Sequence, residues 1–182
     1  MPPNQTTFVA LVRGVNVGKN ILKMDRLRKL CEDIGMRNVR TYVQSGNVVF
    51  EAAGTPEKWS NALEKKLLGE CRLNVSVAVR TSRELSAIVD GNPFLKEKGI
   101  DAARLAVTFL EEPIALTAKA ALNALEIGNE RFHCRHTEIY LHCPNGFAEA
   151  KLYLLDKVLA QRTTVRNWNT VTKLCEMCRA SE

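Results

Sequence analysis

A chain of 182 residues, 46% hydrophobic and 25% charged, has the length for one large or two small domains and the composition of an ordinary globular protein. No apolar run approaches the ~18–20 residues of a membrane span, and Phe8–Val12 is followed by Arg13 rather than by a cleavage site, so the expectation is a cytoplasmic protein with no membrane partner. The net charge of +6 favours anionic partners such as phosphates or nucleic acid without singling one out.

The first predicted strand, Thr7–Arg13, is apolar on both faces, as a central strand should be. It runs into the glycine-punctuated loop Gly14-Val-Asn-Val-Gly18-Lys19-Asn20. Strand, glycine loop and helix start in that order present backbone N–H groups to an anion. Met24, Leu27, Leu30, Cys31 and Ile34 recur at helical spacing, and Gly35 closes that helix. Val39–Gln44 and Asn47–Glu51 flank Ser45-Gly46, a hairpin signal that places Thr41, Val43, Val48 and Phe50 on one face. Thr55-Pro56-Glu57 is a helix start with Trp59, Ala62, Leu63 and Leu67 as its buried stripe, and Val75, Val77 and Val79 alternate as a strand. The order is β-α-β-β-α-β, a ferredoxin-like unit.

A capping box, Thr81-x-x-Glu84, opens a further helix that Gly91-Asn92-Pro93 ends. After residues 91–103, read as a linker, come strand Leu105–Leu110, an Ala-rich helix over Thr117–Ile127, and the hairpin Arg131–Cys143 with its turn at His136-Thr137. Helix Phe147–Ala160, a short extended piece at Thr163–Val165 and a last helix capped by Asn167 or Asn169 complete the chain. The expected fold is α+β: two ferredoxin-like (α/β-plait) subdomains with antiparallel sheets plus extra helices. The subdomains are assigned to 1–90 and 104–182.

In such a unit the strands lie in the order 4-1-3-2, so the loop after strand one and the strand-two/strand-three turn emerge at one edge. Topology alone therefore gathers Arg13, Asn16, Gly18, Lys19, Asn20, Gln44, Ser45 and Asn47. The next helix carries Lys23, Arg26, Arg28 and Lys29 near its start and Glu32 and Asp33 near its end, backwards for the helix dipole, a mismatch that a bound anion would offset. The loop is no P-loop, having three residues between its glycines where the Walker pattern needs four, and GxGxxG is absent. Six cysteines are read as buried apolar residues. Cys175-Glu-Met-Cys178 has no second CxxC to complete a zinc site. His133 and His142 are placed on the polar face of their hairpin, Cys134 and Cys143 on its apolar face, which argues against a metal. An RNA-recognition sheet would need aromatics where Val9, Leu11 and Val49 stand.

Leu11–Val17 (LVRGVNV), Thr41–Phe50 (TYVQSGNVVF), Tyr140–Asn145 (YLHCPN), Lys151-Leu152 and Thr164–Leu174 (TVRNWNTVTKL) resemble the bacterial domain-of-unknown-function 1697 family nearly end to end. The chain departs from that family's pattern at Gly18-Lys19, where a glycine pair is usual, at Ala150, where serine is usual, and at Cys143, where an aromatic is frequent. The resemblance implies two α/β-plait halves and brings no activity with it. It does draw attention to Arg166, Asn167 and Asn169, donor-rich and beside Trp168 at a helix start, either as an anion site or as a helix cap.

No nucleophile–base pair or carboxylate pair stands out, so the expectation is binding rather than catalysis, with neither metal nor cofactor. The expected ligand is small and anionic, phosphate-bearing or nucleotide-like, in a cleft between the subdomains. Arg13, Lys19 and Arg166 would supply charge; Asn16, Gln44, Ser45, Asn47, Asn167 and Asn169 would supply hydrogen bonds. The alternatives are a nucleic-acid binder using the basic surface and a protein-interaction or homodimer module.

Overall fold

The computed structural model describes residues 5–125, 127–148, 150–151 and 153–180. The chain divides into two compact units, one formed by residues up to Ala87 together with those from Lys173 onward, the other by Ile88–Thr172.

In the first unit β1 (Thr6–Val12), β2 (Arg37–Tyr42), β3 (Asn47–Ala52) and β4 (Val77–Thr81) form one antiparallel sheet in the order β2-β3-β1-β4. Both faces of β1 are buried, Phe8, Ala10 and Val12 on one and Val9 and Leu11 on the other, which explains its unbroken apolar run. Helices α1 (Met24–Asp33) and α2 (Pro56–Cys71) cover one face, with Leu27, Leu30, Leu63 and Leu67 packed on Phe8, Val48 and Phe50. Helix α2 starts as its sequence dictates: Thr55 Oγ1 accepts the Lys58 N–H at 3.3 Å, ahead of a proline at the first helical position.

Helix α3 (Ser82–Asp90) opens with the expected capping box. Thr81 Oγ1 accepts from the Glu84 N–H at 3.1 Å, and the Glu84 carboxylate accepts from the Thr81 N–H at 2.8 Å.

The second unit repeats the topology. β5 (Leu105–Leu110), β6 (Arg131–Arg135), β7 (Glu138–His142) and β8 (Thr163–Asn167) lie in the order β6-β7-β5-β8. The brief extended piece expected at Thr163–Val165 is thus a full fourth strand, paired along β5 from Ala106 to Leu110. The hairpin turns at His136-Thr137 and presents Phe132, Cys134, Ile139, Leu141 and Cys143 to the core around Leu110 and Leu122.

Two helices are shorter than their apolar spacing suggests. Helix α4 spans Leu116–Asn123, because the Ala124 and Leu125 amides bond three residues back and tighten the exit; Glu126, inside the expected span, lies outside the described residues. Helix α5 spans Tyr153–Leu159, and Phe147 and Ala150 reach the core from non-helical chain. Glu149 and Leu152, also within an expected helix, lie outside the described residues. Helix α6 (Trp168–Arg179) is the last regular element among the described residues. Its last turns belong with the first unit, where the Arg40 guanidinium donates to the Met177 carbonyl at 2.8 Å.

Candidate functional site

The β1–α1 loop and the β2–β3 turn meet. Leu11 pairs with Asn47 across the sheet, and the Val12 N–H donates to the Gly46 carbonyl at 2.8 Å. Gly46 sits at φ +71, and a Cβ built there would lie 2.9 Å from the Val12 Cβ, so only glycine lets the turn close on the strand.

Asn16 fastens the two segments. Its Nδ2 donates to the Gln44 carbonyl at 2.8 Å and to the Leu22 carbonyl at 3.0 Å, while its Oδ1 accepts the Leu22 N–H at 2.8 Å. At φ +58 it occupies the left-handed region that asparagine tolerates better than most residues. Asn47 is fully buried and donates to the Tyr42 carbonyl at 3.2 Å and to Ser45 Oγ at 2.8 Å, bracing the turn from within. These two residues build the corner. Of the other residues expected to bind a ligand there, Arg13, Gly18, Lys19 and Gln44 are exposed and Ser45 is half-buried.

The charge reversal along α1 has a local explanation. Arg26 pairs with Glu70 of α2, Arg28 with Asp25, and Asp33 with Lys66 of α2 at 3.6 Å. Neighbouring charges therefore offset the unfavourable dipole without an anion. Lys23, at the N-cap position, supplies no capping acceptor to the first turn.

Arg166, Asn167 and Asn169 belong to the second unit. Asn167 Oδ1 accepts the Thr170 N–H at 2.8 Å, so it is the residue that caps α6, and Trp168 is buried behind it. The Arg166 guanidinium donates to Thr164 Oγ1 and to the Val165 carbonyl, both at 2.9 Å, and burial lowers its pKa to about 10. Asn169 is exposed.

The second unit also holds an open groove of about 600 Å³, lined among others by Phe94, Glu97, Ile127, Glu130, Arg131 and His133. Arg131 lies 5.1 Å over the Phe94 ring, bonds Glu97 at 2.8 Å and approaches His142 Nδ1 at 3.3 Å. Desolvation, then the Arg131 charge, lowers the His142 pKa against a weaker opposing pull from Glu97. Sequence reasoning missed this cluster, because Glu97 and Arg131 stand 34 residues apart and only the fold joins them.

Among the described residues no three His, Cys, Asp or Glu side chains converge as a metal site. All six cysteines are thiols outside any disulfide, with Cys175 and Cys178 buried on α6. Val9, Leu11 and Val49 are buried, so no open sheet surface is available at them for stacking bases.

A family described as "Protein of unknown function (DUF1697)" matches residues 5–140. Among solved structures, the conserved bacterial protein SP0830 from Streptococcus pneumoniae superposes with a TM-score of 0.81 at 24% identity, over 97% of this chain and 99% of that one. At this identity the likeness speaks for the fold alone. No curated protein matches the chain.

Proposed function

The chain belongs to DUF1697, a family of proteins of unknown function, and from that premise we propose that its first unit binds a small phosphate-bearing anion at the Arg13–Asn47 corner. Arg13 and Lys19 supply charge, Gln44 and Ser45 supply directional hydrogen bonds, and Gly18 keeps the loop backbone accessible. Asn16 and Asn47 hold the frame. The observation that carries this reading is the double tether of loop to turn, Asn16 to the Gln44 carbonyl and Val12 to the Gly46 carbonyl. It keeps two exposed cations on a pre-organised frame, which lowers the ordering cost of binding. Arg166, Asn167 and Asn169 act in this reading as structural groups of the β8–α6 junction.

The reading is of a cytoplasmic binding protein, a compartment in which six cysteines outside any disulfide persist. Among the described residues no helix is long and apolar enough to cross a membrane. Scanning fluorimetry against nucleotides and phosphometabolites tests the reading. A ligand at a hundred times its Kd stabilises by about 2.7 kcal/mol, a rise in Tm of roughly 5–10 °C. Arg13→Ala with Lys19→Ala should abolish the rise. A panel without a single stabilising member refutes the proposal.

A further inference from the structure

The same corner carries a second property that a small-anion site does not explain. Val17, Ile21 and Val43 are 68%, 77% and 52% exposed, three of the most exposed large aliphatic side chains in the described structure. The Asn16 amide ties down the backbone beside each of them. Val17 follows Asn16, Ile21 precedes Leu22, and Val43 precedes Gln44, and both Leu22 and Gln44 are bonded to that amide. Val43 also stands at φ +48, a conformation that a β-branched residue adopts at a cost and that asparagine or glycine would adopt with less strain. A solvent-facing turn apex that holds a strained valine is an expensive way to meet water.

The same stretch of chain, residues 13–23, carries the exposed cations Arg13, Lys19 and Lys23. The acid that follows Lys23 in the chain, Asp25, is engaged by Arg28. Exposed aliphatic groups on a stretch that carries exposed cations offer, beside the anion contact, an apolar contact that a soluble phosphate compound does not use. A second copy of the chain would set cations against cations. A bilayer with anionic headgroups offers negative charge and an apolar layer together.

We propose that the corner formed by Arg13–Lys23 and Val43–Gly46 docks on an anionic lipid surface. Val17, Ile21 and Val43 enter the headgroup–acyl boundary, and Arg13, Lys19 and Lys23 meet lipid phosphates. The inference rests on the anion-binding reading of this corner and names the lipid headgroup as its anion. The sequence-based expectation of no membrane partner came from the lack of a spanning segment, and surface docking needs none.

The test is co-sedimentation of the full chain with phosphatidylcholine vesicles, with and without phosphatidylglycerol. Binding is expected only with phosphatidylglycerol. It should weaken about tenfold for each of Val17→Ser and Ile21→Ser and about fivefold for each of Arg13→Ala and Lys19→Ala. Val43→Asn should weaken binding while melting no lower than the parent, which separates docking from folding. Binding that ignores the serine substitutions, or that needs no anionic lipid, overturns the inference. Stabilisation by soluble phosphate compounds with no vesicle binding overturns the inference and leaves the anion-binding reading standing. Silence in both assays removes both.

Discussion

Replacing Gly46 by alanine tests the meeting of loop and turn most directly. At φ +71 an L-residue meets the left-handed penalty of roughly 1–2 kcal/mol. The new methyl would also lie 2.9 Å from the Val12 Cβ and 3.1 Å from the Val12 carbonyl oxygen, and Val12 is held in the sheet between β3 and β4. Overpacking against such a neighbour costs about 1–3 kcal/mol more. Gly18→Ala is the matched control: it has φ +59 and nothing within 4 Å of its Cβ, so it carries the backbone penalty alone. Any gain from a stiffer unfolded chain is common to both substitutions and cancels. Urea unfolding at equilibrium, followed by Trp59 fluorescence in a Trp168→Phe background, should place Gly46→Ala below Gly18→Ala by about 1–3 kcal/mol. Equal losses, within about 0.5 kcal/mol, would refute the close approach of turn and strand.

Three further outcomes follow from the same structure. Asn16→Ala removes three hydrogen bonds and should cost about 1.5–3 kcal/mol, with faster amide exchange at Leu22 as the local signature; exchange at Leu22 unchanged from the parent contradicts the clamp. His142, with its pKa lowered in the folded state, binds fewer protons there than in the unfolded chain. Its contribution to stability is therefore complete above the unfolded pKa, about 6.5, and declines as pH falls toward the folded value. His142→Gln should flatten the acid limb of the stability profile, and an unaltered limb excludes this histidine as its source. Burial pushes the Cys31 thiol to about 12 and Cys143 to about 11. At pH 8 both should react with an aromatic disulfide only at the rate of unfolding, and immediate labelling of either in the folded protein would contradict its burial.

Much of the fold was written in local patterns. The Thr81–Glu84 capping box and the Leu105–Leu110 strand have the residues they need within a few positions, and the structure shows both. The meeting of the β1–α1 loop with the β2–β3 turn followed from strand order alone, since a β-α-β-β-α-β unit leaves few choices of edge. What escaped was set by distant partners or by backbone sign. Arg26 looked unneutralised until Glu70 reached it from another helix. Val43 looked like a strand residue on the core face, whereas it occupies a left-handed position in the turn. The bracing by Asn16 and Asn47, expected as ligand contacts, was also hidden, because amides serve equally well to bind a loop to itself.

The bond from Arg40 to Met177 joins residues 137 positions apart and draws the end of α6 into the first unit. A ribosome releases Arg40 well before Met177. The sheet of the first unit must wait for that one bond while the whole intervening unit is translated. Chains halted after residue 90 should accordingly be caught by chaperones more readily than finished ones, however well their own four strands pair.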